Sequence, residues 1–222
     1  MKKKEKKSSV TKSGLVKGAF IATIGIVLTK ILGIIYVIPF HAVIGDRGGA
    51  LYGYAYTIYL LFMSLSSAGI PLAISKIVSE YQTLGYYNAK RRAFVIGKKI
   101  ALLLGFVSFL LLLLFAPWIA HAVLGDLSGG NTISDVTLVI RVVASALLFV
   151  PVLSIYRGYF EGHRFMEYPS FSQVLEQLVR VLIIILGSFL ALKVFDLSIT
   201  AAVGIAAFGA TAGAIASYLY LV

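Results

Sequence analysis

Six long apolar runs, separated by glycine, proline or charged residues, constrain the fold of this chain more than any other feature. They cover residues 15–40, 51–75, 100–119, 136–156, 171–192 and 197–222. A helix needs about 20 predominantly apolar residues to cross the hydrocarbon core of a bilayer, and each run reaches that length. Charged residues make up only 13% of the chain, about half the share found in soluble domains. The sequence therefore predicts an all-α membrane protein with six transmembrane helices.

Positive charges predict how these helices are oriented. Residues 1–13 form a basic leader, and residues 14–222 form the predicted six-helix lobe. The apolar run after the leader is too long for a signal-peptide core, so we expect it to remain as the first helix. With the leader inside, fifteen lysines and arginines face the cytoplasm, against two or three outside. This excess predicts an N-in, C-in topology and contact with anionic membrane lipids rather than nucleic acid.

The same count leaves two cations inside helices. It assigns Arg157 and Arg164 to the cytoplasmic loop after the fourth helix, whereas Lys30 and Arg180 lie within predicted spans. Lys30 stands roughly 14 Å of helix from the outer end of the first span, farther than a lysine side chain can fully reach. We therefore expect Lys30 to face a cavity, an acidic partner or an anionic ligand.

The fifth run begins with polar residues that a membrane helix rarely carries. Its strictly apolar part, residues 181–192, is too short to cross a bilayer. The helix must therefore begin near residue 171, which brings Gln173, Glu176, Gln177 and Arg180 to membrane depth. At 3.6 residues per turn, these four residues fall within an arc of roughly 100°. We refer to them below as the polar stripe.

Two interpretations of the polar stripe stay open at this point. In the first, the stripe lines a water-filled substrate path, because a charge at bilayer depth costs about 2.5–3.5 kcal/mol and needs a function. In the second, Glu176 and Arg180 neutralise each other four residues apart, and the glutamines join neighbouring helices. Both interpretations place the stripe against protein or water rather than lipid.

Prolines and glycines predict where helices bend and where they pack closely. Pro71 and Pro151 lie within the second and fourth runs, and we interpret them as candidate helix hinges. Gly209 and Gly213 form a GxxxG pattern among alanines in the sixth run. Small residues on one helix face let two backbones approach, so the last helix is predicted to be a packing helix.

The sequence gives no indication of covalent catalysis. It contains no cysteine, three scattered histidines, and neither a phosphate-binding Walker loop nor an HExxH zinc motif. We therefore predict that the protein is not an enzyme and needs no metal or cofactor.

Two stretches resemble a known family. These are YRGYFEGHRFMEYPSFSQVLEQLVRV (residues 156–181) and AGIPLAISKIVSEY (residues 68–81). They resemble the YtgP and stage V sporulation protein B family of polysaccharide-biosynthesis membrane proteins. This family is related to the MurJ lipid II flippases within the multidrug/oligosaccharidyl-lipid/polysaccharide exporter superfamily. The resemblance extends over essentially the whole chain.

The resemblance implies a two-lobe transporter of which this chain is the N-terminal lobe, with a C-terminal lobe missing. It also implies alternating-access transport of an undecaprenyl-pyrophosphate-linked saccharide, with lipid II favoured, across the bacterial cell membrane. Cavity cations would meet the pyrophosphate, and Lys30 and Arg180 are the deep cations that this sequence offers for that role.

Two alternative functions stay open. The first is a cation-coupled exporter of small amphiphiles, in which Glu176 would bind the coupling ion. The second is a non-transporting membrane scaffold whose polar residues only pair with one another.

Overall fold

The computed structural model describes residues 12–67, 69–125 and 130–222, with side chains from residue 18 onward. Within these ranges the chain is helical and contains no strand, which confirms the all-α prediction. Residues 1–11 of the predicted leader lie outside the described residues.

The described part of the chain forms nine α-helices. They are α1 (Lys12–Ile35), α2 (Val37–Ser67), α3 (Ile70–Leu84), α4 (Tyr87–Leu124), α5 (Ile133–Ala144), α6 (Val150–Gly162), α7 (Glu167–Leu182), α8 (Ser188–Lys193) and α9 (Ile199–Leu221). A 3₁₀ turn (Ser145–Leu148) joins α5 to α6, and a π-helical turn (Ile183–Gly187) joins α7 to α8.

Five helical segments in the described ranges are long and apolar enough to cross a membrane. They are Gly18–Leu84, Tyr87–Leu124, Ile133–Gly162, Glu167–Lys193 and Ile199–Leu221. The first has 67 residues and covers all of the first predicted span except residues 15–17, together with the second predicted span. Helical geometry is interrupted between those two spans at Gly45, whose φ is 67° and ψ is −176°. The number of six spans and the N-in, C-in topology stay predictions.

Both candidate hinge prolines lie in the first turn of a helix. Pro71 follows Gly69, which has a left-handed φ of 76°, and belongs to the first turn of α3. Pro151 belongs to the first turn of α6, directly after the 3₁₀ turn. Proline is tolerated in this position because the first N–H groups of a helix have no intrahelical acceptor. The breaks thus precede the prolines, and a hinge motion at either one stays a prediction.

The assignment of Arg157 to a cytoplasmic loop is wrong. Helix α6 does not end near residue 156 but continues to Gly162, and Arg157 lies in its interior. The chain leaves helical geometry only at Arg164, whose φ is 66°. No proline and no pair of adjacent glycines lies between residues 156 and 162. The helical backbone hydrogen bonds therefore continue past the end of the apolar run.

Glycines hold two helix pairs close together. A Cβ atom on Gly162 would approach the Ser75 carbonyl oxygen to 2.7 Å, so α6 lies directly against α3. A Cβ on Gly213 would approach the Glu176 carbonyl oxygen to 2.6 Å, and one on Gly209 would reach the Arg180 carbonyl oxygen at 3.0 Å. These distances confirm that the GxxxG face of α9 packs closely, and its neighbour is the polar α7.

Candidate functional site

The carboxylate of Glu176 lies between two arginines. Arg180 Nη2 donates to its Oε1 at 2.5 Å, and Arg157 Nη2 donates to its Oε2 at 2.7 Å. The exposed fractions of these side chains are 13% for Glu176, 13% for Arg180 and 16% for Arg157. We call these three residues the arginine–glutamate cluster. Its ionic groups are largely withdrawn from the protein surface.

Two helices supply the charges of the cluster. Glu176 and Arg180 lie four residues apart on α7, the spacing at which an acid and a base on one helix face meet. Arg157 comes from α6. The cluster therefore joins α6 to α7 through a single carboxylate.

Two serines orient Arg157 and add a third helix to the network. Arg157 Nε donates to Ser172 Oγ of α7 at 3.0 Å, and its Nη2 donates to Ser217 Oγ of α9 at 3.0 Å. The hydroxyls of Ser172 and Ser217 are 2.6 Å apart, and Ser217 Oγ also donates to the Ser172 carbonyl oxygen at 2.9 Å. Both serines are fully buried, so the network is an interior feature of the α6, α7 and α9 packing.

Tyrosines of α2 border the other side of Arg180. Arg180 Nη1 donates to the Tyr56 hydroxyl at 3.4 Å and to Gln177 Oε1 at 3.3 Å. The Tyr56 ring stacks on Tyr52 with ring centres 5.3 Å apart and lies tilted against Tyr59 at 5.5 Å. Spacings of four and three residues place these rings on one face of α2. This face forms an aromatic wall beside the cluster.

The cluster holds more positive charge than it neutralises. Two guanidinium groups share one carboxylate, which leaves a formal surplus of one positive charge. Three side-chain polar groups are buried without a hydrogen-bond partner in the described part of the protein, and they are the Arg180 Nε, the Tyr59 hydroxyl of the aromatic wall and the Ser188 hydroxyl. Burial of an unmatched donor or charge is unfavourable unless a partner completes it. An anionic group is the partner that this surplus selects chemically.

The structure brings part of the polar stripe together. Glu176, Gln177 and Arg180 contact one another, and Gln177 is only 8% exposed. The Gln177 amide nitrogen would lie 3.4 Å from a Cβ atom on Gly33, which places it against α1. Gln173 is half-buried and makes no side-chain hydrogen bond with a described residue.

Lys30 makes no polar contact with this network among the described residues. It is an exposed residue of α1, three positions before Gly33, and no hydrogen bond or ion pair links it to the part of the chain that the structure describes. The second cation that contacts Glu176 is Arg157, which the sequence reasoning missed. The sequence feature that could have identified Arg157 is the absence of proline between residues 152 and 168, which allows the fourth helix to continue past residue 156. A joint site of Lys30 and Arg180 stays a prediction.

A second network contains another arginine–carboxylate pair, which joins α2 to α5. Arg47 of α2 contacts Asp135 of α5 at 3.3 Å and donates through Nε to Asn131 Oδ1 at 3.2 Å. Asp135 also accepts from the Thr200 hydroxyl of α9 at 2.7 Å and forms a capping box with Thr132. We call these five residues the Asp135 cluster. It holds one arginine and one carboxylate, and Arg47 is 45% exposed.

Metal binding is not indicated by this geometry. Among residues 12–67, 69–125 and 130–222, no group of three or more His, Asp or Glu side chains is placed to hold a metal ion. The chemistry available to the arginine–glutamate cluster is charge-assisted hydrogen bonding.

The amino-acid sequence matches a known protein family. The profile of the family described as "Polysaccharide biosynthesis protein" matches residues 15–222. The chain is 41% identical over 210 residues to the Bacillus subtilis "Lipid II flippase MurJ", covering 94% of this chain and 39% of that protein. It is 32% identical to the "Uncharacterized membrane protein YabM", covering 92% of this chain and 36% of that protein.

A third relative from Bacillus subtilis gives the same picture. The chain is 30% identical to "Stage V sporulation protein B", covering 96% of this chain and 39% of that protein. The chain thus spans about two fifths of the length of the curated relatives that it matches. No solved structure is significantly similar to it.

Proposed function

Because the chain belongs to the polysaccharide biosynthesis protein family, we propose that it is the N-terminal lobe of a two-lobe transporter of lipid-linked saccharides. The transporter moves its substrate across the bacterial cell membrane by alternating access. Its favoured substrate is lipid II, an undecaprenyl-pyrophosphate-linked precursor, and the 41% identity to a protein named a lipid II flippase supports this choice. Five helical segments of membrane-spanning length agree with a multi-pass membrane protein.

The surplus positive charge of the arginine–glutamate cluster is the observation that carries this proposal. A buried cation without a matching anion is costly, and the cost falls when an anionic substrate group completes the cluster. Arginine binds phosphate oxygens through paired, charge-assisted hydrogen bonds. The pyrophosphate of a lipid carrier supplies both the negative charge and the acceptors.

Each residue of the site has a role in this mechanism. Arg180 and Arg157 attract the pyrophosphate, and Glu176 holds both guanidinium groups in place until the substrate competes for them. Gln173 and Gln177 hydrogen-bond polar groups of the substrate, and Lys30 provides a further cation on α1. No covalent bond forms or breaks, in agreement with a transport protein rather than an enzyme.

The two alternatives make different demands on the same residues. A cation-coupled exporter would use Glu176 to bind a proton or sodium ion, but two guanidinium groups already neutralise that carboxylate. A coupling ion at another position is compatible with the proposed transport. A scaffold would need the cluster only to hold α6, α7 and α9 together.

Complementation separates transport from scaffolding. The complete protein that carries this chain, with its C-terminal lobe, is expressed in cells depleted of their peptidoglycan-precursor flippase. We expect the wild type to restore growth, Arg180→Ala to fail, and Arg180→Lys to restore growth in part. Lys193→Ala, at the end of α8, is the control and should behave as the wild type.

Membrane insertion and thermal stability of each variant are measured alongside growth. Full complementation by a correctly inserted Arg180→Ala protein would contradict the substrate role. The scaffold alternative predicts instead that Arg180→Ala loses stability, and that rescue follows the amount of folded protein.

A further inference from the structure

A groove that carries both charged and apolar side chains lies near the arginine–glutamate cluster along α6 and has no part in the mechanism above. It has a volume of about 840 Å³ and is bordered by α3, the end of α6 and the residues just before α7. Its lining is mostly apolar and includes Leu72, Leu84 and Met166. Its polar groups come from Ser75, Lys76, Ser79, Glu80, Glu161 and Arg164. We call it the α3–α6 groove. Small-molecule sites in proteins typically occupy about 300–1,000 Å³, so the groove has the size of a ligand site.

The polar groups of this groove are free to bind a ligand. Within the described ranges, the side chains of Lys76, Glu80, Glu161 and Arg164 make no ion pair and no hydrogen bond. Salt bridges elsewhere in the described chain bring Arg and carboxylate groups within 3.3 Å. Lys76, Glu80 and Arg164 are exposed and Glu161 is half-buried, so the donors and acceptors of this groove face solvent and are accessible to a ligand.

The groove has a rigid wall. A Cβ on Gly162 would approach the side chain of Val78 to 2.7 Å, and one on Gly158 would collide with the Pro71 backbone. Helix α6 therefore lies directly on α3 and cannot slide without separating their backbones. Rigid elements hold binding groups in position at a lower entropic cost than mobile loops.

Helix α6 connects the groove to the arginine–glutamate cluster. Glu161 lines the groove, and Arg157 lies four residues earlier on the same face of α6. Four residues of α-helix correspond to a rise of about 6 Å. One ligand can therefore contact the groove and the cluster together if its anionic group is next to its polar headgroup.

We propose that the α3–α6 groove binds the saccharide headgroup of the lipid-linked substrate. The proposal rests on the proposed function, because it assigns the pyrophosphate of the same substrate to the arginine–glutamate cluster. Sugar hydroxyls donate to carboxylates and accept from ammonium, guanidinium and hydroxyl groups, all of which line this groove. Two acids balance two bases, so the groove suits a neutral, hydroxyl-rich ligand better than a simple anion.

Binding of two probes to the complete purified protein tests this division of the substrate. The first is undecaprenyl pyrophosphate carrying a disaccharide, and the second is undecaprenyl pyrophosphate without sugar. We expect Glu161→Gln and Glu80→Gln each to weaken binding of the first probe by about 10-fold, the effect of one lost charge-assisted hydrogen bond. Binding of the second probe should stay within about 2-fold of the wild type.

Two further variants make the result specific. Arg180→Gln should weaken binding of both probes, because it removes the anion contact that they share. Glu167→Gln removes an exposed acid of α7 that does not line the groove, and should change neither affinity. Glu161 is half-buried, so its replacement can also affect folding. Glu80 is exposed, and its variant therefore tests binding with less effect on folding.

The failures of the two proposals are distinguishable. Suppose that the wild type binds both probes, but Glu161→Gln and Glu80→Gln either leave both affinities unchanged or weaken both to the same extent. The saccharide site is then overturned, while the anion site stands. If the wild type binds neither probe, the proposed function is overturned, and the saccharide site with it.

Discussion

The two arginine–carboxylate networks of this protein are built from the same groups but differ in charge balance and burial. The Asp135 cluster pairs one arginine with one carboxylate, and two threonine hydroxyls donate hydrogen bonds to that carboxylate. The arginine–glutamate cluster pairs two arginines with one carboxylate, and its side chains are 13% to 16% exposed. The first network is balanced and lies partly at the surface, whereas the second is unbalanced and lies in the interior.

Under the proposed function, this difference assigns a purely structural role to one network and a ligand-binding role to the other. A balanced pair with hydroxyl partners connects α2, α5 and α9 and needs nothing more. An unbalanced, buried cluster costs free energy until another anion arrives, which is the basis of its proposed role as an anion site. The variants below test the comparison by removing one feature of either network at a time.

Replacement of the shared acid should have the largest effect. Glu176→Gln leaves Arg157 and Arg180 close together in the interior without a carboxylate. Breaking a buried pair on one side costs about 3–5 kcal/mol, and we expect a loss of that order in the free energy of unfolding. Thermal and denaturant unfolding in detergent measures it. Glu167→Gln, an exposed acid on the same helix, is the control, and equal stabilities of the two variants would contradict the assignment.

Crowding the helix interface beside the cluster should have the next largest effect. In Gly213→Ala, the new methyl group would lie 2.6 Å from the Glu176 carbonyl oxygen, so α7 and α9 must separate. Overpacking of this kind costs about 1–3 kcal/mol. Gly53→Ala is the matched control, since its Cβ would meet nothing within 4 Å. The same unfolding assay should show a loss for Gly213→Ala only. Alanine favours a helix more than glycine does, so an equal loss in both variants would contradict the assignment of the effect to contact with α7.

Removal of the acid from the balanced network should cost less. Asp135→Ala removes the capping box of α5, the Thr200 bond and the contact with Arg47. Loss of helix-capping interactions costs about 0.5–2 kcal/mol, and we expect the change in unfolding free energy to fall in that range. Transport activity of the complete protein should persist at temperatures where the variant is folded. A loss of transport as severe as that of Arg180→Ala would remove the functional distinction between the clusters.

The smallest effect should come from the exposed arginine. Arg47→Gln breaks a pair whose arginine is 45% exposed, and such pairs contribute about 0–1 kcal/mol. Near 1 M salt the screening length falls to about 3 Å, so the difference from the wild type should vanish there. The cost of Glu176→Gln should persist at the same salt concentration. Equal salt dependence in the two variants would contradict the difference in burial.

The sequence was sufficient to predict that Glu176 and Arg180 share one face of α7, whereas the membrane depth of the polar stripe stays a prediction. The apolar part of the fifth run was too short to span a bilayer, and helical periodicity placed Glu176 and Arg180 on one face. These are local properties of the chain, and their ion pair on α7 follows from four-residue spacing. The structure shows that Glu176 pairs with Arg180 as the spacing predicted, and that Arg157 adds a second positive charge to the same carboxylate.

Residues that meet Glu176 from other helices were harder to predict. Arg157 was missed because the fourth span was predicted to end at residue 156, where the apolar run ends. A helix continues beyond its apolar run until its backbone hydrogen bonds are interrupted. Which helix lies against α7 depends on packing between distant parts of the chain. The contacts of Ser217 and Tyr56 with the cluster therefore could not be inferred from spacing.

Binding of undecaprenyl pyrophosphate to the complete purified protein tests the central claim most directly. The affinities of the wild type, Arg180→Gln and Arg47→Gln are compared at one ionic strength, with melting temperatures measured in parallel. Loss of a charge-assisted contact should weaken binding by roughly 10- to 100-fold in Arg180→Gln and leave Arg47→Gln unchanged. An unchanged affinity in a folded Arg180→Gln protein, or an equal loss in both variants, would contradict the assignment of the arginine–glutamate cluster as the anion site.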